Sequence, residues 1–274
     1  MMSARCAVWD ILTTNRLPIT VFMTHTTRTT LEPAWILHQY PYRDTSLLLE
    51  VFSREYGRIG LIARGARSAR SRWQNQLQML RPVALSWNLR GELGTLTGVE
   101  SRGVVAVFPG RQVLCVCYLN ELLLRLTTRH DPHPEIFDAY EQAVMALGDN
   151  EEQALRVFEK RLLQSLGYGL LLDHEFDSGT PVQGDELYEY CLEKGPVRRQ
   201  QESHEGIFLQ GASLLSLHRD ELQEPQACRE VKRLMRAALA LYLGARPLRT
   251  REVLRQLSVM SRAGRRDIAA TVTN

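Results

Sequence analysis

Two short apolar runs joined by a glycine turn constrain the fold of this chain more than any other feature. The runs span residues 46–53 and 58–63, and Gly57 lies between them. Gly57 can adopt the positive φ that a tight turn requires, so the two runs are predicted to pair as antiparallel strands. The sequence therefore predicts a β-hairpin that leads directly into the segment after Ala63.

A cluster of arginines accompanies this hairpin. Six arginines lie between positions 54 and 72, opposed there only by Glu55, with glycine, alanine and serine as spacers after position 63. Small residues let an extended backbone approach a ligand closely, and the planar guanidinium of arginine binds phosphate in two places and stacks on bases. The composition favours contact with a nucleic-acid backbone, and a solvated loop is the alternative. The side chains predicted to bind DNA are Arg43, Arg58, Arg64, Arg67, Arg70, Arg72 and Arg90.

The positive charge is local. The whole chain has 34 lysines and arginines against 31 acidic residues, a net charge of only +3. Residues 32–111 alone contain eleven arginines and six acids, a net charge of +5, so the rest of the chain is slightly acidic. A nucleic-acid surface is therefore expected in this region and not over the whole molecule.

Three more apolar runs complete a predicted unit of five strands. They span residues 35–40, 82–87 and 93–96. Five short strands with glycine turns suit a small closed barrel of the OB type, which binds oligonucleotides, and a long connection between the third and fourth strands would carry the arginines. Tyr42, Tyr56 and Trp73 either stack on bases or pack in the core, and the sequence leaves both readings open.

Beyond Gly110 the apolar period changes from two residues to about 3.6, which indicates helices. The predicted helices span residues 112–127, 134–147, 150–167 and 227–243, with a short one over 250–257. Asn150, with Gln153 three positions later, gives the third of these a capping-box start. The predicted fold class is therefore α+β, an amino-terminal five-stranded OB barrel followed by a mainly α-helical domain.

We predict a flexible extension over residues 1–32, the OB domain over 33–110, the helical domain over 111–260 and a disordered tail over 261–274. A partner-binding arm, or sequence upstream of a natural start at Met23, is the alternative for the extension. The helical domain includes a small irregular insertion at about 173–211. The residues expected to hold this insertion by packing are Phe176, Tyr188, Tyr190, Ile207 and Phe208.

Several short motifs, in this order along the chain, resemble the RecO family of bacterial recombination mediators. The motifs are Tyr-Arg-Asp-Thr-Ser-Leu-Leu-Leu at 42–49, Gly-Arg at 57–58, Ala-Arg-Gly-Ala-Arg-Ser at 63–68, Tyr-Leu-Asn-Glu-Leu at 118–122, Arg-Val-Phe-Glu at 156–159, Leu-Gly-Tyr-Gly at 166–169, Tyr-Leu-Gly at 242–244 and Pro-Leu-Arg-Thr-Arg-Glu at 247–252. Each motif is weak alone, and together they span most of the chain.

The resemblance implies a DNA-binding mediator that anneals complementary strands and helps load RecA onto DNA coated with single-strand-binding protein. The implied partners are single- and double-stranded DNA, the acidic, phenylalanine-ending tail of single-strand-binding protein, RecR and, functionally, RecA. It also implies a cytoplasmic, nucleoid-associated protein. A protein adaptor with incidental DNA affinity is the alternative.

The implied tail site is placed in the helical domain, at Arg156, Lys160 and Phe158. Such a peptide requires an apolar slot for its aromatic ring and cations for its carboxylates. The matched segment at 155–158 supplies both residue types on one helix. The competing reading is that Arg156 only pairs with Glu152 on an exposed helix face.

The sequence does not predict an enzyme or a cofactor. It contains neither the Gly-rich phosphate loop of ATP-binding proteins nor the Gly-x-Ser-x-Gly motif of hydrolases. Its five cysteines have no disulfide framework spacing, which is typical of the reducing cytoplasm. Many proteins of the resembled family carry a four-cysteine zinc site in the second domain, and here only Cys191 and Cys228 remain after Gly169, so no metal is predicted. No apolar run approaches the roughly twenty residues that span a membrane.

Overall fold

The computed structural model describes residues 27–73, 75–103, 108–199, 206–253 and 256 of the chain. Five strands come first, then three helices, a small three-stranded sheet and two more helices. In chain order these are β1 (Thr27–Tyr42), β2 (Ser46–Ser53), β3 (Gly57–Ala63), β4 (Pro82–Arg90), β5 (Leu93–Ser101), α1 (Arg111–Leu126), α2 (Pro134–Ala146), α3 (Glu151–Ser165), β6 (Leu187–Cys191), β7 (Gly195–Arg199), β8 (Phe208–Gln210), α4 (Gly211–His218) and α5 (Pro225–Leu243).

The first five strands close into a barrel in the order β1-β2-β3-β5-β4. The second half of β1 pairs with β2 and its first half pairs with β4, which joins the two ends of the sheet. A register shift between Ile36 and His38 bends β1 between its two partners. The β3–β5 pair is parallel and the other pairs are antiparallel. The predicted α+β fold with an amino-terminal OB-type unit is confirmed.

The barrel begins earlier than the sequence predicted. The predicted boundary lies at residue 33, whereas β1 starts at Thr27 and already pairs with Leu89 of β4 there. The threonine-rich stretch was assigned to a flexible extension, yet β-branched threonine fits a pleated strand well. Residues 27–32 therefore belong to the barrel wall, and the prediction for residues 1–26 lies outside the described part of the chain.

Alternate residues of the five strands fill the barrel, and the long connection between β3 and β4 adds two more. Trp73 and Leu77 of this connection pack into the barrel core, and only 5% of the surface of Trp73 is exposed. The indole nitrogen of Trp73 donates a hydrogen bond to the carbonyl oxygen of Arg64 (3.1 Å). The amide of Gln39 donates to the carbonyl of Leu77 (2.5 Å). The connection is therefore fixed from the inside of the barrel.

The helical domain is built on α1, α2, α3 and α5, and each bound lies within two residues of the predicted one. The side chain of Asn150 accepts a hydrogen bond from the backbone N–H of Gln153, as the capping motif predicts. The apolar faces of these helices meet in one cluster around Phe137, Phe158 and Leu234. That cluster also includes outward-facing barrel residues, so the two domains share one hydrophobic core.

The helical domain covers part of the outer face of β1, β2 and β3. Phe52 of β2 packs against Phe137 of α2, with ring centroids 5.7 Å apart. Trp35 of β1 meets Tyr140 edge-on at 5.3 Å. At the β2–β3 turn, Gly57 has a φ of 63°, and a Cβ there would overlap the backbone carbonyl of Asp131. This close approach explains why the turn requires glycine.

The insertion at 173–211 is more regular than predicted. It contains the three-stranded sheet β7-β6-β8 and the start of α4. Tyr188, Tyr190 and Phe208 are buried as expected, whereas Phe176 is 51% exposed and does not hold the fold. Tyr188 instead contacts Glu175, whose carboxylate also accepts a hydrogen bond from Ser178 (2.6 Å).

The predicted disordered tail at 261–274 lies outside the described residues. Among the helices of the described ranges, none has both the length and the apolar composition that a membrane span requires.

Candidate nucleic-acid interface

The connection between β3 and β4 displays its arginines to solvent. The side chains of Arg64, Arg67, Arg70 and Arg72 are all exposed. The backbone that carries them is held by Trp73 and by a hydrogen bond from the Ser68 hydroxyl to the Gly65 carbonyl (2.8 Å). An arginine on a fixed backbone loses less freedom when it binds phosphate than one on a mobile loop.

The β1–β2 turn lies against this connection and adds Arg43. The backbone N–H of Arg67 donates to the carbonyl of Thr45 (2.7 Å), and the Arg67 guanidinium reaches the carbonyl of Arg43 (3.4 Å). Arg43 is also exposed, with its guanidinium 5.2 Å from the ring centroid of Tyr42. Five of the seven predicted DNA-binding residues therefore share one end of the barrel. We call this surface the arginine arc, and it consists of Arg43, Arg64, Arg67, Arg70 and Arg72.

Arg90 lies elsewhere on the barrel. It is exposed at the β4–β5 turn, where it pairs with Leu93, and Leu93 in turn is level with Gly60 of β3. Arg64 lies four residues beyond Gly60. At about 3.3 Å per residue, this places Arg64 on the order of 13 Å from the level of Gly60 along the strand direction. The structure therefore does not bring Arg90 into the arginine arc.

Arg58 was predicted to bind DNA, and the structure gives it another role. Its guanidinium donates a hydrogen bond to the carbonyl of Leu124 near the end of α1, and its own carbonyl accepts one from the N–H of His130 (2.9 Å). Burial lowers the pKa of Arg58, with neighbouring Arg129 adding to the effect and Glu50 opposing it. Arg58 lies on the face of β3 that docks the helical domain, a placement that the sequence pattern does not reveal, so the structure does not bring it into the arginine arc.

Of the three candidate stacking residues, two are core residues. Trp73 is buried in the barrel, although the guanidinium of Arg72 lies 4.1 Å from its ring centroid. Tyr56 packs edge-on against Trp87 at 5.2 Å. Only Tyr42 lies beside the arginine arc with part of its surface exposed.

A second cationic site is a cavity of about 590 Å³ between α1, α3, α5 and the segment after α5. Arg156 lies at its inner wall with 5% of its side chain exposed, and it donates a hydrogen bond to the buried carboxylate of Glu159 (2.8 Å). The same carboxylate accepts a hydrogen bond from the Tyr118 hydroxyl (2.5 Å). Burial raises the pKa of Glu159, and Arg156 and Tyr118 offset part of this rise.

The rim of this cavity carries cations that the sequence reasoning did not assign to it. Arg251 lies over the ring of Tyr118 and donates to its hydroxyl (3.2 Å). Lys232 of α5 contacts Glu152 (2.5 Å). Burial alone would raise the pKa of Glu152. Lys232 and the nearby arginines outweigh burial and hold this pKa below its usual range. The cationic lining residues are Arg111, Arg156, Lys232, Arg236 and Arg251, against the acids Glu151 and Glu152. Lys232 and Arg236 are one helical turn apart on α5, so they lie on the same helix face. This spacing was the sequence signal that could have predicted a cationic rim.

The predicted tail site of Arg156, Lys160 and Phe158 is not assembled as expected. Phe158 is fully buried in the helical core, and the ammonium of Lys160 contacts the carbonyl of Leu217 (2.8 Å) and the carboxylate of Asp220 (2.5 Å). Of the three, only Arg156 lines the cavity. The alternative pair between Arg156 and Glu152 is present at 4.0 Å, but it does not lie on an exposed face, because Arg156 is buried, and the closer partner of Arg156 is Glu159 (2.8 Å).

No group of three or more histidine, cysteine, aspartate or glutamate side chains within the described ranges is arranged to hold a metal ion. Cys115 lines the cavity, and burial raises the pKa of its thiol to about 12. A thiol with that pKa stays protonated at neutral pH and is a weak nucleophile.

The chain is similar to known proteins over most of its length. The family model "Recombination protein O N terminal" matches residues 27–104, and "Recombination protein O C terminal" matches residues 110–252. Among curated proteins, the chain is 43% identical over 242 residues to the DNA repair protein RecO of Nitrosococcus oceani, covering 88% of this chain and 98% of that protein. It is 47% identical over 238 residues to RecO of Alkalilimnicola ehrlichii, with 86% and 95% covered. The corresponding figures for RecO of Coxiella burnetii are 39% over 232 residues, with 84% and 99% covered.

Proposed function

The chain belongs to the RecO family of DNA repair proteins, and from this premise we propose that it is a DNA-binding mediator of recombinational repair. The observation that carries the proposal is the arginine arc, which presents five guanidinium groups on a fixed backbone at one end of an OB-type barrel. Arginine binds phosphate through charge-assisted, bidentate hydrogen bonds. The proposed role is to anneal complementary strands and to help load RecA onto DNA coated with single-strand-binding protein.

Annealing by such a surface needs no nucleotide hydrolysis. Cations that neutralise phosphates on two strands lower the repulsion between the strands and raise their local concentration. Contacts to phosphate carry no sequence information, so binding should depend weakly on sequence. This mechanism is consistent with an arc built from arginines on a loop and a turn.

The cavity of the helical domain supports a second element of the proposal. We assign it to the acidic, aromatic-ending tail of single-strand-binding protein. Its rim offers Arg111, Arg236 and Arg251 for carboxylates, and Tyr118 and Leu155 line an apolar wall for a ring. The cavity is large enough for a few side chains of a peptide and too small for a DNA strand. Arg156 then acts from the inner wall, whereas Lys160 and Phe158 do not line the cavity.

The remaining parts of the proposal concern partners and location. RecR is proposed as a second protein partner, and RecA as the protein that benefits when single-strand-binding protein is displaced. The protein would act in the cytoplasm, associated with the nucleoid. The alternative function is an adaptor, which the covered β2–β3 face favours, because OB folds otherwise use that face for oligonucleotides.

Annealing of two complementary oligonucleotides tests the proposal against the adaptor. One strand carries a fluorophore and the other a quencher, and the purified protein is added without ATP. We expect the annealing rate to rise with protein concentration. At high salt the protein should no longer accelerate annealing, because phosphate contacts are screened. The double variant Arg67→Ala/Arg70→Ala should lose most of the acceleration. A matched control, Arg198→Ala/Arg199→Ala, removes two arginines that already pair with Glu175 and Glu189. No acceleration by the wild-type protein would favour the adaptor.

A further inference from the structure

One row of side chains on β1 is aromatic, and two of its members, His38 and Tyr40, have no role in the proposed site. His38, Tyr40 and Tyr42 alternate along the strand. Their neighbours Gln39 and Pro41 pair with Leu49 and Leu47, whose side chains face the barrel interior. Because side chains alternate across a strand, the three aromatic rings point to the outer face.

This row lies on the part of the outer face that the helical domain leaves open. His38 pairs with Glu50 and Tyr40 pairs with Leu48 of β2, and Leu48 in turn pairs with Ile62 of β3. Glu50 is covered by Arg129 of the helical domain. Tyr40 is 43% exposed, and His38 is exposed as well. The open surface therefore starts at His38 and runs toward the β1–β2 turn.

Two of the rings already form a flat stack. The ring centroids of His38 and Tyr40 are 4.2 Å apart, and the ring planes differ by 19°. This spacing and angle match those of stacked aromatic groups, so a further planar group placed on the free side of Tyr40 would meet a preformed surface. A stacked pair of rings on an open strand offers a planar ligand a π-face on which it can stack.

The charges around the row identify the ligand. Arg43 follows Tyr42 in the turn, and Arg64 follows β3, whose residue Ile62 is level with Tyr40 through Leu48. Arg129 and Arg58 lie at the other end, where Glu50 and the helical domain already hold them. A row of rings that leads to the exposed cations Arg43 and Arg64 matches a polymer of alternating planar groups and negative charges. Unpaired nucleotides have this chemistry, whereas a duplex keeps its bases stacked inside and out of reach.

We propose that His38 and Tyr40 form a base-stacking surface for single-stranded nucleic acid, and that the arginine arc holds the adjoining phosphates. The inference deepens the proposed DNA binding and rests on it. It assigns two tasks to two sets of residues. The arginines set the affinity for any phosphate backbone, and the rings on β1 distinguish unpaired bases from a duplex.

The test uses three fluorescent probes of the same length, all titrated at one salt concentration. They are a single strand of twenty thymidines, a single strand in which most bases are replaced by abasic sites, and a duplex. Loss of one stacked base weakens binding by about tenfold. We therefore expect Tyr40→Ala to bind the thymidine strand about tenfold more weakly and to bind the abasic strand and the duplex within about twofold of wild type. Tyr40→Phe, which keeps the ring, should bind like wild type.

The matched control is Tyr168→Ala. Tyr168 is also exposed and stacks on Tyr242 with centroids 3.9 Å apart, but this pair lies in the helical domain beside α5. The control should leave all three affinities unchanged, and the salt dependence on the thymidine strand should be the same in wild type and Tyr40→Ala.

Equal affinity of wild type and Tyr40→Ala for thymidine, or equal weakening on all three probes, would overturn the stacking surface while DNA binding stands. Wild type that binds none of the probes would remove the proposed function as well.

Discussion

The molecule carries two groups of cations that differ in almost every physical respect. The arginine arc on the barrel is exposed, lies on a loop and a turn, and is spaced by small residues. The cations of the helical cavity lie on helices and on the segment after α5, and several are tied to carboxylates or to a phenol. Arg156 contacts Glu159, Lys232 contacts Glu152, and Arg251 contacts Tyr118.

Under the proposed function, the same charge would serve two kinds of recognition. Exposed cations that keep their hydration interact with a polyanion through many weak, screened contacts, and the sum depends on salt. Cations held in a cavity by carboxylates have a fixed geometry, so they select a ligand with the right shape and few charges. Removing an arginine of the arc should therefore reduce affinity alone, whereas removing a cavity cation that is paired with a buried carboxylate should disturb the fold.

The largest expected effect is on stability, at Arg156. Arg156→Met would leave the carboxylate of Glu159 buried without its cation, and breaking such a buried pair costs about 3–5 kcal/mol. Urea unfolding should show this loss, while Arg67→Ala in the arc should change the free energy of unfolding by less than about 0.5 kcal/mol. The double variant Arg156→Met/Glu159→Gln should recover much of the stability, because no buried charge remains. A similar small effect of both single variants would erase the contrast between the two groups.

The loss at Arg156 should also depend on pH. Burial raises the pKa of Glu159 in the folded protein. A raised folded-state pKa gives a stability contribution that is full below the unfolded pKa and is lost as pH rises through the folded pKa. Arg156 opposes this rise, so its removal raises the pKa further. We expect Arg156→Met to be less destabilising at about pH 5 than at about pH 8. A pH-independent loss in urea unfolding would indicate that Glu159 is not the group responsible.

The second effect is on the salt dependence of DNA binding, at the arc. Five phosphate contacts on a single strand give a slope of log K against log salt near −3.5, at about −0.7 per contact. Arg67→Ala/Arg70→Ala should bring this slope to about −2, which can be measured by fluorescence anisotropy between 50 mM and about 300 mM salt. The control Arg198→Ala/Arg199→Ala changes the net charge by the same two units and should keep the wild-type slope. An unchanged slope in the arc variant would remove these two arginines from the interface.

The smallest effect is on peptide binding, at the cavity rim. A fluorescent peptide with an acidic, phenylalanine-ending tail should bind with micromolar affinity, and Arg236→Ala should weaken it about tenfold, or about 1.4 kcal/mol. Arg236 is exposed on α5 and lines the cavity, so its loss should not disturb the fold. Arg229→Ala is the matched control, because Arg229 is exposed on the same helix two turns earlier. Equal affinities of wild type and Arg236→Ala for the peptide would exclude Arg236 from the peptide-binding site.

Local sequence patterns predicted most of the fold. The hairpin of β2 and β3 follows from its apolar runs and Gly57, and α3 follows from its period and from Asn150. These features depend on residues close in sequence. The start of β1 was missed because a threonine-rich stretch is compatible with both a strand and a loop. Only the pairing of this stretch with β4 decides between the two.

The site residues were harder to predict because their roles depend on domain docking. Arg58 looks like its neighbours in sequence, but it faces the helical domain and not solvent. Trp73 is surrounded by arginines along the chain and is nevertheless a core residue of the barrel. The cavity joins residues of α1, α3 and α5, and those of α1 and α5 are more than one hundred positions apart, whereas a helical period shows only which face is apolar.

The packing of Trp73 and Leu77 inside the barrel has a consequence for the speed of association. A loop that must order itself during an encounter slows the capture of a ligand, because many collisions find it in the wrong shape. Here Trp73 and Leu77 already anchor the connection between β3 and β4 in the barrel core. The hydrogen bond from the Trp73 indole to the Arg64 carbonyl holds the backbone between the arginines. Encounters with a nucleic acid would then be governed by long-range attraction and diffusion, and most collisions at the correct end of the barrel would be productive.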